Sequence, residues 1–225
     1  PGGLLASAAV IAGLTLLSRV LGLAREMVFG YYLGTSGALS AFRIAFQVPN
    51  LARRLFGEGA LSAAVIPVLT TTLRERGEEA SRRFVGAILA LLFVVLGLFI
   101  LICESGLLIW RAIADDLTLG LTQLLLPYAV LVCAVAVAGG CLNVRGRFAV
   151  PAFAPVLLNV GMIAALAVGG SIWHWDEVSL VKLVGGTVLL AGIVQLAMAG
   201  LALQAAQLFP KFEAPWRNAE ARRVI

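Results

Sequence analysis

The sequence predicts an all-α protein, a polytopic bundle of six transmembrane helices. Of its 225 residues, 61% are hydrophobic and 13% are charged, and the mean hydropathy is +1.00. Soluble domains carry about a quarter charged residues, so this chain lies outside that class. A helix needs roughly 20 apolar residues to cross a bilayer, and apolar runs of that size recur along the chain.

The six predicted spans differ in how many charged residues they contain. The first two contain charged residues, whereas the last four have long uncharged stretches. We place them at about residues 4–33, 39–72, 84–103, 117–144, 148–171 and 183–208. Prolines within these spans are compatible with a bundle, because neighbouring helices or cavity water satisfy the freed backbone groups. Small residues permit close helix contact, and we expect that role for Gly139, Gly140, Gly161, Gly185, Gly186 and Gly192.

Lysine and arginine are distributed unequally between the connections. Ten of them follow the second, fourth and sixth spans, whereas the opposite side carries two, Arg111 and Lys182. Because basic residues concentrate on the cytoplasmic side of short connections, we expect both ends of this segment in the cytoplasm. The tryptophans near span ends are typical of interfacial aromatic belts; they are Trp110, Trp173, Trp175 and Trp216.

The ends of the chain suggest a larger protein. The sequence starts at Pro1 and stops at Ile225, directly after a basic cluster. We therefore expect a segment of a longer chain. The first apolar stretch has no basic leader and no small-residue cleavage site, so we do not interpret it as a signal peptide.

Several function classes are disfavoured by the residue pattern. The basic residues are not interleaved with aromatic residues on one face, which argues against nucleic acid as a partner despite a net charge of +5. Cys103, Cys133 and Cys141 lie in apolar stretches without paired spacing, so we expect free thiols, no disulfide and no metal site. The single histidine, His174, stands between two tryptophans at an expected interface, and no nucleophile has a neighbouring base. We predict neither an enzyme nor a cofactor.

Arginines within the first two spans are the strongest functional signal. They are Arg19, Arg25, Arg43, Arg53 and Arg54. Ionisable side chains at bilayer depth are costly, so they tend to face a water-filled cavity and mark a substrate path. Guanidinium groups stay charged and bind phosphate oxygens through two parallel hydrogen bonds. The pattern favours half of a transporter whose cationic cavity holds an anion such as a pyrophosphate. The alternative is that these side chains snorkel to the interface or bind neighbouring carbonyls, which we weigh most heavily for Arg43.

A helical wheel of the second span shows a polar stripe. At about 100° per residue, four polar residues fall within about 60° of Arg43: Gln47, Asn50, Arg54 and Glu58. Arg54 and Glu58 are four residues apart and could pair. Arg53 lies about 80° from Arg43, although a bend at Pro49 makes the rotation approximate.

Long motifs resemble one known family. They are Ser18–Arg25 (SRVLGLAR), Ala41–Arg54 (AFRIAFQVPNLARR), Glu58–Ser62 (EGALS), Val65–Pro67, Asn143–Arg147 and Phe148–Asn159. In this order they resemble the first part of the MurJ (MviN) family, which are lipid II flippases of the multidrug/oligosaccharidyl-lipid/polysaccharide (MOP) exporter superfamily.

The resemblance implies a two-lobed transporter of which residues 1–225 are the N-terminal six-helix lobe. It implies movement of the undecaprenyl-pyrophosphate-linked peptidoglycan precursor, lipid II, from the inner to the outer leaflet of the bacterial cytoplasmic membrane. Family cavity arginines map by motif onto Arg19, Arg25 and Arg53, with acidic partners at Glu26 and Glu58. The expected partners are lipid II, the phospholipid bilayer and a C-terminal lobe of the same protein that lies outside this chain.

One position departs from the family pattern. Ser40 stands where the family commonly has an acidic residue before the Ala-Phe pair, so no role of that carboxylate is expected here. The motif favours Arg53 as the cavity residue and the wheel favours Arg54; we follow the motif because Pro49 disturbs the rotation. Two alternatives remain open at this point, a related exporter of drugs or of another lipid-linked oligosaccharide, and a non-transporting scaffold for cell-wall enzymes.

Overall fold

The computed structural model describes residues 2–57, 60–114, 116–218 and 220–221. Within these ranges the regular structure is entirely helical. The six α-helices are α1 (Gly2–Leu33), α2 (Gly37–Ala52), α3 (Ala60–Arg111), α4 (Leu117–Val144), α5 (Ala149–Ala167) and α6 (Glu177–Ala205). π-helical turns follow α2 and α5, at Arg53–Gly57 and Val168–Ile172, and a 3-10 turn lies at Pro215–Arg217. The predicted all-α class is confirmed.

Three helices begin at side-chain caps. Ser36 Oγ accepts the Leu39 N–H at the start of α2, and Asp116 accepts the Thr118 N–H at the start of α4. Asp176 caps α6 by accepting the N–H groups of Val178 and Ser179. Such caps satisfy backbone donors that have no partner within the helix. Hydrogen bonding from Ser179, through its side chain and then its backbone, lowers the pKa of Asp176.

The predicted second and third spans are divided differently in the structure. α2 ends at Ala52 and α3 begins at Ala60, so residues 39–72 do not form one helix. α3 then runs to Arg111 through the predicted connection, interrupted at Gly77, where φ is 78° and ψ is −168°. Glycine adopts positive φ without the penalty that a Cβ brings. Around it, Arg, Glu and Ala are good helix formers, which explains why a charged connection is helical on both sides.

Membrane-crossing length is clear for four helices in the described part of the chain. They are Ala63–Arg111, Leu117–Val144, Ala149–Ile172 and Glu177–Ala205. α1 carries internal charges and α2 has only 16 residues. α1 adds a fifth crossing to these four. α2 together with the part of α3 before Gly77 adds another, which gives about six crossings in all. The helices also extend beyond the predicted spans, as α3 does past residue 103, because apolar residues continue there.

α4 lies at the centre of the bundle. It packs against α2, α3 and α6, while α5 packs against α1 and α6. Close contacts between these helices depend on four of the predicted glycines. A Cβ added at Gly139, Gly161, Gly185 or Gly192 would lie within 3.2 Å of a neighbouring side chain. Gly186 differs, because a Cβ there would meet nothing within 4 Å.

The basic connections meet at one end of the bundle. Arg145 Nη2 donates to Glu78 Oε1 at 2.7 Å, and Arg147 Nη2 donates to the Ala205 carbonyl at 2.7 Å. The segment after α6 turns back along α3, where Lys211 Nζ lies 2.6 Å from Glu79 Oε1. These contacts bring the connections after α4 and α6 against the middle of α3. Charged residues of these connections therefore pair with glutamates of α3.

Candidate functional site

A cavity of about 620 Å³ opens among the helices. Its wall is formed by α1, α2, α4, α5 and α6, by the π turn after α2 and by Ile66 of α3. The charged and amide side chains in this wall are Arg25, Asn50, Arg53, Asn143, Asn159 and Gln195. Both charged lining residues are cationic, and no carboxylate lines the cavity among the described residues. Such a wall favours an anionic ligand.

Arg25 is held at the cavity wall by two side chains. Its Nη1 donates to Asn159 Oδ1 at 3.1 Å, and its Nη2 donates to Glu26 Oε1 at 2.6 Å. The Arg25 side chain is 23% exposed, and its Nε is buried without a hydrogen-bond partner in the described part of the chain. The guanidinium group of Arg25 has five N–H donors, so N–H groups remain that can donate hydrogen bonds to an anion.

Glu26 links two arginines. One carboxylate oxygen accepts from Arg25, and the other accepts from Arg43 Nη2 at 3.1 Å. Arg43 belongs to α2 and its side chain is 58% exposed, so this bridge joins α1 to α2 at the rim. Arg43 is not part of the cavity lining, and its long side chain reaches water. The carboxylate offsets part of the positive charge on both guanidinium groups.

Arg53 lines the cavity and Arg54 does not. Arg53 is half-buried and lies close enough to α4 to act electrostatically on Tyr128 and Cys133. Arg54 is exposed. The wheel assumed unbroken α geometry through Arg54, but the chain changes to a π turn at Arg53. Asn50, three residues before Arg53, also lines the cavity, as expected for residues that share a helix face.

Arg19 does not join the other arginines at the cavity. Arg19 is exposed and outside the lining, because six residues before Arg25 corresponds to about 240° around the helix. Gln47 is also exposed. Glu58 falls outside the described residues, and so does its predicted pairing with Arg54. Ser40 is exposed and its Oγ donates to the Ser36 carbonyl of its own helix turn.

Aromatic rings order the helices around the cavity. Phe29 of α1 stacks on Phe42 of α2 with ring centroids 5.5 Å apart. Phe42 in turn stacks on Phe46 at 5.6 Å, and Phe46 lies 6.3 Å from Tyr128 of α4. Phe46 and Tyr128 also line the cavity. These ring contacts connect α1, α2 and α4 beside the cavity.

Sequence reasoning missed three amides of the wall. Asn159 and Gln195 are 6% and 4% exposed, and Asn143 lies near the C-terminal end of α4. Gln195 Nε2 donates to the Ala154 carbonyl at 2.6 Å, joining α6 to α5. The available signal was an amide within an otherwise apolar span, since buried polar groups need partners. Asn159 stood within a family motif but received no role.

Among the described residues, no group of three or more His, Cys, Asp or Glu side chains could hold a metal ion. Cys133 and Cys141 are buried and unpaired as thiols, and Cys103 is half-buried. His174 is exposed in the connection before α6.

Comparison with known proteins identifies the family of this chain. The family model described as lipid II flippase MurJ matches residues 29–225. The lipid II flippase MurJ of Burkholderia cenocepacia is 38% identical over 166 residues, covering 69% of this chain and 32% of that protein. The probable lipid II flippase MurJ of Rhizobium meliloti is 34% identical over 230 residues, covering 96% of this chain and 42% of that protein.

Solved structures share the fold. A lipid II flippase MurJ in an inward closed conformation matches with a TM-score of 0.67 at 19% identity, covering 91% of this chain and 43% of that one. An outward-facing multidrug resistance MATE family transporter of the MOP superfamily matches with the same TM-score at 11% identity, covering 97% and 50%. The chain thus spans less than half the length of the curated relatives named above. On the strength of the sequence matches, the chain belongs to the lipid II flippase MurJ family.

Proposed function

We propose that this chain forms one lobe of a flippase that moves an undecaprenyl-pyrophosphate-linked peptidoglycan precursor across the bacterial cytoplasmic membrane. The observation that carries the proposal is the cavity with Arg25 and Arg53 in its wall and no described carboxylate in its lining. A pyrophosphate offers oxygens to both guanidinium groups, and Arg binds phosphate oxygens through paired hydrogen bonds. Membership of a flippase family supports the same substrate class.

The mechanism we infer is alternating access without chemistry on the substrate. The lobe described here would rock against a second lobe of the same protein, exposing the cavity first to one leaflet and then to the other. Arg25 and Arg53 would bind the pyrophosphate, and Asn50 beside them would add an amide. The polyprenyl chain would stay in the bilayer. No bond is made or broken, so the protein is a transporter and not an enzyme.

The orientation we propose has both ends of this segment in the cytoplasm. The basic connections lie together at one end of the bundle, which is the arrangement that the cytoplasmic side of a membrane favours. Arg19, although exposed and outside the lining, remains a candidate for contact with the substrate or with the second lobe, because family motifs include it. On the same basis we propose that Glu58, the other acidic residue of these motifs, tunes the charge of the cavity arginines.

A leaflet-resolved transport assay tests the proposal. The protein carrying both lobes, reconstituted in vesicles, is expected to move fluorescent lipid II to the opposite leaflet, where an added reductant bleaches it. A matched lipid without the pyrophosphate should move at the background rate. The rival supported by the likeness to a multidrug transporter fold predicts instead transport of a cationic dye such as ethidium. Dye transport without lipid movement would overturn our assignment.

Removing the charge of Glu26 is expected to tighten anion binding. In Glu26→Gln the amide oxygen still accepts a hydrogen bond, but Arg25 and Arg43 lose the anion that now offsets their charge. Because these groups are partly exposed, we expect the Kd for undecaprenyl pyrophosphate to fall by only about two- to fivefold. Slower release should lower the transport rate.

The matched control for that change is Glu79→Gln. Glu79 also bridges two cations, Arg83 and Lys211, but at the basic end of the bundle. Its removal should leave Kd within twofold. Weaker binding by Glu26→Gln would show that this carboxylate serves mainly to orient Arg25, and would contradict the tuning role.

A further inference from the structure

Asn159 occupies an unusual place in an apolar helix. It lies on α5 among hydrophobic residues, is 6% exposed, and both ends of its amide are used. Oδ1 accepts from Arg25 Nη1 at 3.1 Å, while Nδ2 donates to the Ser18 carbonyl of α1 at 3.3 Å. A buried polar group is costly unless its partners are provided. Here both partners belong to α1.

Close packing of α1 on α5 makes this contact possible. A Cβ added at Gly22, between Ser18 and Arg25 in the sequence, would lie 3.9 Å from Asn159 Nδ2. The amide therefore sits directly against the backbone of α1. Proline residues precede Asn159 on α5, at positions 151 and 155, and both line the cavity. Asn159 is thus the amide among apolar residues that α5 contributes to this wall.

The effect on Arg25 follows from the chemistry of its two partners. Asn159 engages one terminal nitrogen and Glu26 engages the other, so the plane of the guanidinium group is fixed from both sides. The long side chain loses rotamer freedom before any ligand arrives. A neutral amide does this without cancelling the positive charge, whereas a second carboxylate would cancel it. Asn159 thus orients a cation and leaves it available to an anion.

We propose that Asn159 is a positioning residue, which acts through Arg25 to pre-organise the guanidinium group for a pyrophosphate. The inference rests on the proposed function, since it concerns the same cavity. It assigns a role to α5, which the arginine motifs of the first two spans do not cover. The simpler explanation is that Asn159 only ties α5 to α1 through the Ser18 carbonyl.

A double-mutant cycle distinguishes positioning from tying. The measured quantity is the Kd of fluorescent undecaprenyl pyrophosphate for the protein carrying both lobes, in lipid nanodiscs. Asn159→Ala is expected to weaken binding about three- to tenfold when Arg25 is present. In an Arg25→Ala background the same change should alter Kd by less than twofold, because nothing remains to be oriented.

Gln195→Ala is the matched control. Gln195 is a similarly buried amide of the same wall, but its Nε2 donates to the Ala154 carbonyl and not to a side chain that binds the ligand. Its effect on Kd should be the same factor in both backgrounds. Equal factors for Asn159→Ala in both backgrounds would overturn the inference and leave a merely structural amide.

Failure to fold is covered by a second variant. The hydroxyl of Asn159→Ser is too short to reach Arg25, but it can bond to a carbonyl of its own helix. The double-mutant cycle with Arg25→Ala can therefore be repeated with Asn159→Ser, which changes the packing less than Asn159→Ala does. If Arg25→Ala alone leaves Kd unchanged, Arg25 does not bind the pyrophosphate and the proposed function is contradicted. If Arg25→Ala weakens binding and the Asn159 change is additive with it, only the positioning role falls.

Discussion

Replacing Arg53 with alanine is expected to weaken binding of undecaprenyl pyrophosphate by about 10- to 100-fold, whereas Arg54→Ala should leave it within twofold. Hydrogen bonds to charged groups contribute about 1.5–3 kcal/mol, and about 1.4 kcal/mol corresponds to a factor of ten. Arg53 is half-buried in the cavity wall and Arg54, its neighbour in sequence, is exposed. The pair thus compares the same change of charge and size at two positions that differ in access to the cavity.

Binding to the purified two-lobed protein and growth of a flippase-depleted bacterium together measure this effect. Arg53→Ala, like Arg25→Ala, should insert in the membrane at normal levels and fail to sustain growth. Arg54→Ala should sustain it. If Arg54→Ala is the damaging change, the rotation assigned to the π turn is wrong. Equal growth of all variants would instead remove the arginines from the mechanism.

Gly192→Ala is expected to destabilise the protein by about 1–3 kcal/mol, the usual cost of inserting atoms into a filled core. An added Cβ would lie 2.7 Å from Tyr128 Cδ2 and 2.9 Å from Cε2. The Tyr128 ring is 2% exposed and is stacked on Phe46, so it has little room to move. Because α4 and α6 meet here and Tyr128 lines the cavity, substrate affinity should fall as well.

Gly186→Ala provides the control on the same helix. A Cβ there meets nothing within 4 Å, and alanine is favoured over glycine inside a helix by about 1 kcal/mol. We therefore expect an unchanged or slightly raised Tm for Gly186→Ala and a lowered Tm for Gly192→Ala, measured by thermal unfolding in the same detergent. The reverse order would mean that α4 and α6 are not packed at Gly192 as described.

Packing glycines show how far composition alone reaches. The sequence predicted six of them as contact sites. At four of the six, an added Cβ would lie within 3.2 Å of an atom of a neighbouring side chain. Adjacent Gly185 and Gly186 differ completely, since one faces Leu124 and the other faces open space. The hydropathy of the span is the same for both residues. Only the rotation of α6 against α4 separates them.

Helix bounds show a similar division. Apolar length predicted a helical membrane protein, but not that a charged connection would continue α3 through a single break at Gly77. Local helix propensity in that stretch is high, whereas the prediction gave more weight to its charge. The pairing of those charges with residues after α4 and α6 could not be inferred, because the partners are far apart in sequence.

What the sequence by itself determined was the class of protein, the family and the cationic character of the site, because these depend on composition and on contiguous motifs. The tertiary structure alone decided which arginines share the cavity wall and which buried amide accepts a hydrogen bond from one of them. Arg25 and Asn159 are 134 positions apart, and Arg53 differs from Arg54 by one step around a turn of altered pitch. Such relations arise from the packing of α1 on α5 and from the local helix geometry after Pro49, neither of which a one-dimensional pattern encodes.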